Sequence, residues 1–289
     1  MKMKWLIYCI LISCGLLLNF HQFLVEQYMR FRTRNEYVVI SFSTTPYRIH
    51  EMQDTVATIL NQNTKIAAIY LAIPYVFKRD DIPYTIPDWL QNHHKITVIR
   101  TKDYGPATKL LGVLEQVQLD PNAIVITMDD DIKYPKNTAL HLVYKAKKYP
   151  DQAIGIAGAD LDYDAYGNLM PNKIGGLISR INSDANVTLL QGFASIAYRR
   201  KFFDDTIFEV SNAPRECINS DDLYLSFHLA KHGILRRVLS NRYIDKLKIN
   251  YSNDIGHGND ALHNLTPTPS DKHRICINYM KGLAPDVQF

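Results

Sequence analysis

A short, largely apolar run, Ile124 to Met128, ends at three consecutive aspartates, Asp129, Asp130 and Asp131. Such a run predicts a strand that is buried on both faces, as in a parallel sheet. The residues that follow it then lie at the carboxyl edge of the sheet, where open α/β sheets bind ligands. Adjacent carboxylates repel one another unless a cation neutralises them. The pattern therefore predicts either a Mg²⁺ or Mn²⁺ site or a solvated acidic loop.

Other apolar segments along the chain predict further strands, at 37–43, 66–73, 96–100, 153–159, 189–198 and 236–240. Helical patterns run from His50 to Asn61, through Leu110 to Val117, and from Ser220 to Gly233. Strands that alternate with helices imply parallel pairing with right-handed crossovers. We therefore predict an α/β fold with a mixed, mainly parallel, Rossmann-like sheet flanked by helices.

Composition and missing motifs exclude several classes of function. Lys plus Arg number 33 against 29 for Asp plus Glu, which leaves a net charge of only +4 and no long basic run. Nucleic acid is therefore not an expected partner. The sequence has no GxGxxG after its first strand and no GxxxxGK[ST]. The absence of these motifs argues against a dinucleotide oxidoreductase and against a P-loop enzyme.

The N-terminus predicts a contact with a membrane. Residues 5–18 are apolar or small and follow Lys2 and Lys4, and counting on to Val25 gives 21 residues, enough to span a bilayer. No small-residue cleavage site follows this stretch, which favours an uncleaved single-pass signal anchor. We therefore expect residues 1–34 to be anchor and stem, residues 35–289 to be the functional domain, and the protein to be membrane-bound in a compartment left open.

Two loops add positive charge to the edge that holds the aspartates. Arg48 follows the first strand and Lys109 follows the third. Lys109 also opens a helix, whose N-terminal amides favour anions. Each side chain alone could be an ordinary surface charge, but together with the aspartates they predict a site for a metal-bound diphosphate.

The second half of the chain contributes further candidates. Asp221 and Asp222 lie in the first turn of a predicted helix, where they either complement the helix dipole or supply a general base. Gly192 allows a close approach of the backbone. His257 and His263 are either metal ligands or ordinary loop histidines. Two cysteines, Cys217 and Cys276, either form a disulfide or remain buried thiols.

The order of four motifs in this chain resembles that of the GT-A glycosyltransferases. These motifs are STTPYR at 43–48, DYGPATK at 103–109, DDD at 129–131 and the Asp221–Asp222 pair. The resemblance implies a donor half at about 35–135 and an acceptor half at about 136–289. It also implies that Asp129 and Asp131 hold Mn²⁺ or Mg²⁺, with His257, or His263 behind it, completing the metal shell. The side chains that it assigns to donor binding are Thr44, Thr45, Arg48, Asp103, Lys109, Asp129 and Asp130. Asp222, paired with Asp221, becomes the catalytic base, and Gly192 lies on the acceptor side.

The resemblance further implies inverting transfer of a sugar from a UDP- or GDP-sugar to a hydroxyl group of a glycan, lipid or protein. Two alternatives stay open. A metal-dependent nucleotidyltransferase would use the same acidic strand end. A non-catalytic, membrane-anchored glycan-binding protein would not need the acidic edge, the cationic loops and the Asp221–Asp222 pair all together. The sequence leaves the sugar, the nucleotide and the acceptor open.

Overall fold

The structure is a computed structural model that describes residues 2–163, 169–174, 184–240, 250–251 and 269–287. Its helices are α1 (Lys2–Thr33), α2 (Gln53–Leu60), α3 (Asp88–Gln91), α4 (Thr108–Gln116), α5 (Thr138–Lys148), α6 (Arg215–Ile218), α7 (Asp221–Lys231) and α8 (Pro269–Leu283). Short 3₁₀ helices cover Arg200–Phe202 and Asp205–Asn212. Its strands are β1 (Val38–Phe42), β2 (Ala68–Pro74), β3 (Val76–Phe77), β4 (Ile82–Pro83), β5 (Thr97–Thr101), β6 (Ile124–Met128), β7 (Ile132–Lys133), β8 (Gln152–Ala159), β9 (Leu161–Tyr163), β10 (Leu169–Ile174), β11 (Ala185–Asn186), β12 (Leu189–Arg199), β13 (Leu235–Val238) and β14 (Asn250–Tyr251).

Within the described residues, eight strands form one sheet in the order β11-β13-β8-β12-β6-β1-β2-β5. β5, β2, β1 and β6 are parallel to one another, and β13 is parallel to β8. β12 is antiparallel to both of its neighbours, and β11 is antiparallel to β13. The prediction of an α/β fold with a mixed, mainly parallel sheet flanked by helices is confirmed. The loops after β1, β5 and β6 consequently leave the sheet at one edge.

The central strands β1 and β6 are buried throughout because helices cover both faces of the sheet. All five residues of β1 are buried. Val38, Ile40 and Phe42 pack in a cluster with residues of α2 and α5, whereas Val39 packs in a second cluster with residues of α4 and α7. A strand between two helix layers has no solvent face, so its sequence loses the polar alternation of a half-exposed strand.

β12 contains a bulge that directs part of its backbone toward the carboxyl edge. Gln191 pairs with Ala157 and Ile196 pairs with Gly155. Between these two pairs β12 advances by five residues and β8 by only two, so β12 bulges. Within the bulge, Ser195 has a positive φ of 92° and its hydroxyl donates to the Thr127 carbonyl at 2.8 Å. Bulges of this kind redirect the backbone and occur beside active sites.

The prediction of a single-pass signal anchor is wrong for the part of the chain that the structure describes, because no helix there is long and apolar enough to cross a membrane. α1 carries polar side chains at Asn19, Gln22 and Glu26, which interrupt the apolar sequence. Its last turns pack instead on the domain. Met29 is 2% exposed, and Glu26 accepts a hydrogen bond from Asn137 at 2.8 Å.

A disulfide joins α6 to α8. Cys217 and Cys276 are bonded, with their Cα atoms 4.8 Å apart, which decides between the disulfide and the free thiols that the sequence left open. Both cysteines lie in the cluster that contains the apolar face of α7. The bond therefore fixes α8 beside the start of α7, the helix that carries Asp221 and Asp222.

Candidate active site

The acidic turn after β6 is held by hydrogen bonds with Tyr134 and with Thr44. The Asp129 amide donates to the Tyr134 hydroxyl at 2.7 Å, and that hydroxyl donates to the Phe193 carbonyl in the β12 bulge at 3.2 Å. Thr44, in the loop after β1, donates to the Asp130 carboxylate. The turn is thus fixed between the β1 loop and β12.

Arg48 forms ion pairs with two of the three aspartates. Its guanidinium lies 2.8 Å from an Asp131 oxygen and 3.2 Å from an Asp130 oxygen. Burial nevertheless raises the pKa of Asp130 to about 6, against the opposing effect of Arg48. Burial, followed by the charge of Asp129, also raises the pKa of Asp131. Asp130 is the most buried of the three, at 3% exposure. Its carboxylate therefore helps to hold the turn in place, a structural role that could not be predicted from its position in the triplet.

Lys109 joins the two acidic groups that the sequence predicted separately. It is the second residue of α4 and only 6% exposed, and its ammonium lies 2.8 Å from Asp129 and 3.4 Å from Asp221. Burial alone would lower its pKa, but the carboxylates Asp129, Asp221 and Asp222 outweigh it and raise the pKa well above the usual value. Lys109 is therefore a fixed positive charge between the β6 end and the start of α7.

Asp222 is turned toward β12 and does not cap its own helix. One of its carboxylate oxygens accepts a hydrogen bond from the Gly192 amide at 2.7 Å. α7 begins after Ser220 as predicted, but the Ser220 hydroxyl makes no capping bond. A Cβ at Gly192 would lie 2.9 Å from Asp222 Oδ1 and 3.1 Å from Lys109 Nζ, so a larger residue there would displace one or both of these groups.

The environment of Asp222 favours its protonated form. Burial and the neighbouring Asp221 raise its pKa to about 8, although Lys109 and the Gly192 amide act in the opposite direction. A carboxylate whose pKa lies near the working pH can accept a proton and release it again. Strongly shifted pKa values in a cleft are also a general mark of functional sites.

These side chains line one cavity of about 760 Å³, a size typical of small-molecule sites. Its walls bring together most of the predicted donor-site and catalytic residues, namely Thr44, Thr45, Arg48, Asp103, Lys109, Asp129, Asp130, Asp131 and Asp222. Asp221 lies behind Lys109, and Gly192 lies against Asp222. His257 and His263, the predicted histidine ligands, lie outside the described residues.

Three basic residues of the cavity were not identified from the sequence. Lys78 and Arg79 follow β3, and Arg215 begins α6. α6 reaches the cavity because Gly105, with a φ of 61°, lets the loop after β5 pack against Ile218. Lys78 and Arg79 could have been identified only from their position shortly after β2, because the segment after β2 leaves the sheet at the same carboxyl edge as the acidic turn.

The acidic turn fits a divalent cation that is shared with a ligand. Asp129 and Asp131 offer oxygen donors, and their side chains are 23% and 20% exposed at the cavity. In the described part of the chain, three ligand atoms within 4.8 Å of one another occur at Asp204, His228 and His232, and not at this turn. An ion here would be held by one or two carboxylates together with phosphate oxygens, which is the usual mode for Mg²⁺.

No family model matches the chain, and no curated protein sequence matches it. The arrangement of side chains in the cavity is therefore the basis on which a function can be assigned.

Proposed function

We propose that this chain is a metal-dependent glycosyltransferase that moves a sugar from a nucleotide-sugar donor to an acceptor hydroxyl, with inversion at the anomeric carbon. The observation that carries the proposal is the meeting of two acidic groups in one cavity, which is also lined by five basic side chains. The β6 aspartates suit a diphosphate with its metal, and Asp222 suits a base on the other side of Lys109.

The donor side of the cavity combines both charges that a nucleoside diphosphate needs. Arg48, Lys78, Arg79, Lys109 and Arg215 supply positive charge around the site of the phosphates. Asp129 and Asp131 would hold Mn²⁺ or Mg²⁺. A metal bound there supplies Lewis-acid stabilisation of the negative charge that develops on the leaving diphosphate.

The acceptor side depends on Asp222. Its carboxylate would take the proton from the acceptor hydroxyl as that oxygen attacks the anomeric carbon and the nucleoside diphosphate leaves. The Gly192 amide holds one carboxylate oxygen, so the base has a fixed direction. Asp221, which pairs with Lys109, would set the position of the ammonium between the two carboxylate groups.

The test is a panel of UDP- and GDP-sugars incubated with the full chain and Mn²⁺, with and without candidate acceptor sugars. We expect release of a nucleoside diphosphate that requires the metal and is lost in Asp131→Ala. Asp151→Ala, which removes a carboxylate that is 75% exposed and paired with Lys201, is the matched control. Full metal-stimulated activity in Asp131→Ala would contradict the metal assignment.

Replacement of the base separates chemistry from donor binding. Asp222→Asn should lower kcat by about 10²- to 10⁴-fold, the usual contribution of a general base, and leave donor affinity nearly unchanged. An unchanged kcat would remove Asp222 from this role. Release of pyrophosphate from a nucleoside triphosphate, in place of a nucleoside diphosphate from a sugar donor, would instead identify a nucleotidyltransferase.

A further inference from the structure

Asp204, His228 and His232 form a second cluster, at the end of α7 opposite to Asp222. One ligand atom from each of the three side chains lies within 4.8 Å of the other two. The separation is 3.8 Å from His228 Nε2 to Asp204 Oδ1 and 3.4 Å from His232 Nε2 to Asp204 Oδ2. Two ligands bound at about 2.1 Å to a tetrahedral zinc ion lie about 3.4 Å apart. The separation of His232 from Asp204 equals this value, whereas His228 and Asp204 would have to move closer together to share an ion.

The fold places these three side chains together by local rules. His228 and His232 are four residues apart, so they lie on one face of the last turn of α7, with their ring centroids 4.5 Å apart. Asp204 precedes the 3₁₀ helix Asp205–Asn212 and accepts hydrogen bonds from the Thr206 amide at 3.0 Å and hydroxyl at 2.6 Å. These bonds fix the carboxylate in the direction of the histidines, as outer-sphere partners do in metal sites.

The buried histidine carries an independent sign that a ligand is required. His228 is 4% exposed, and its Nε2 atom is buried without a hydrogen-bond partner. A buried polar nitrogen that is left unpaired is unfavourable, and such atoms are rare in folded proteins. This nitrogen faces Asp204, so an ion bound between the two would satisfy it.

We propose that Asp204, His228 and His232 bind one zinc ion, with water in the fourth position. Two imidazoles and one carboxylate suit Zn²⁺, whereas the oxygen donors of Asp129 and Asp131 suit Mg²⁺ or Mn²⁺. The ion would tie the end of α7 to the segment before the 3₁₀ helix and hold in place the helix that carries Asp222 at its other end. This site does not depend on the proposed glycosyl transfer.

The experiment titrates ZnCl₂ into the metal-free full chain with excess MgCl₂ present, so that the oxygen-donor site is occupied. Calorimetry should give one zinc per chain, and zinc should raise Tm. Co²⁺ in its place should show the intense visible absorption of tetrahedral coordination. Absence of zinc binding, or its loss to excess Mg²⁺, would overturn the proposal.

Variants at the exposed ligands keep the test independent of folding. His232→Ala, which changes a side chain 30% exposed, and Asp204→Asn, which keeps the Oδ1 acceptor for Thr206, should each weaken zinc binding by at least about tenfold and abolish the cobalt spectrum. His94→Ala is the control, because His94 stacks on His93 at 5.3 Å and that surface pair could bind zinc adventitiously. Zinc binding that survives in His232→Ala and disappears in His94→Ala would assign the ion to the surface pair.

Discussion

Replacing Lys109 with methionine removes the positive charge between the two acidic groups while keeping a side chain of similar length. Lys109 is nearly fully buried and pairs with Asp129 at 2.8 Å and Asp221 at 3.4 Å, whose side chains are 23% and 10% exposed. Breaking a buried ion pair from one side costs about 3–5 kcal/mol, because the remaining charge is buried without compensation. We expect Lys109→Met to lower the free energy of unfolding by that amount near neutral pH.

The loss should grow with pH. The pKa of Asp222 is raised from 3.8 to about 8 by burial and by Asp221, so the folded state keeps a proton that the unfolded state releases. The contribution of Asp222 to stability therefore falls as pH rises between these two values. Lys109 limits this rise in the pKa of Asp222. In Lys109→Met the pKa of Asp222 is higher still, so the stability continues to fall up to a higher pH. The difference in the free energy of unfolding between wild type and Lys109→Met should thus be larger at about pH 9 than at about pH 6.

Guanidinium unfolding followed by circular dichroism measures both effects without any assumption about activity. The matched control is Lys102→Met, because Lys102 is 71% exposed and pairs with Glu115 at 3.1 Å. An exposed pair of this kind is worth about 0–1 kcal/mol. If Lys109→Met is no more destabilising than Lys102→Met, or if its effect does not change with pH, the account of Lys109 as a buried counter-charge is refuted.

Three further changes test other parts of the structure. If Asp222 is the base, kcat/KM should rise with pH to a midpoint near 8, and this rise should be missing from the residual activity of Asp222→Asn; a flat wild-type profile would argue against that base. Gly192→Ala places a Cβ 2.9 Å from Asp222 Oδ1, so kcat should fall by about 10²-fold with little change in circular dichroism, and an unchanged kcat would show that the carboxylate need not stay in place. Replacing Cys217 and Cys276 by serine should lower the free energy of unfolding by about 4 kcal/mol, the chain-entropy value for a loop closed over 59 residues, and dithiothreitol should have a matching effect on the wild type alone.

Much of the sheet could be predicted because buried parallel strands leave a local signal. Each of the seven segments predicted as strands overlaps a strand of the structure, since a run such as 37–43 or 124–128 is mostly apolar on both faces and ends at polar residues. The direction of β12 could not be predicted. Its pattern shows which residues are buried, but pairing direction depends on how the chain returns to β6 and β8. α5 and α8 were also missed, although the buried residues of α5, such as Leu142, Val143 and Ala146, already follow helical spacing in the sequence.

Part of the candidate site could be predicted from the sequence, and part could not. The common location of Arg48, Lys109 and the β6 aspartates follows from parallel topology, which brings the ends of β1, β5 and β6 to one edge. The contact of Lys109 with Asp221 and the turn of Asp222 toward Gly192 depend on how α7 packs against β12, and no local pattern carries that information. The membrane anchor was predicted by counting apolar residues as far as Val25, but no helix in the described part of the chain is long and apolar enough to cross a membrane.

The disulfide between Cys217 and Cys276 changes how the chain responds to cleavage. It closes one covalent ring that contains α7 and β13, with the two cysteines 59 positions apart in the sequence. A single protease cut inside this ring leaves the two fragments joined, so gel electrophoresis would show a nicked chain as intact until a reductant is added. Peptide mapping of this protein therefore needs paired reduced and non-reduced digests, and a fragment released only after reduction locates its cut between the two cysteines.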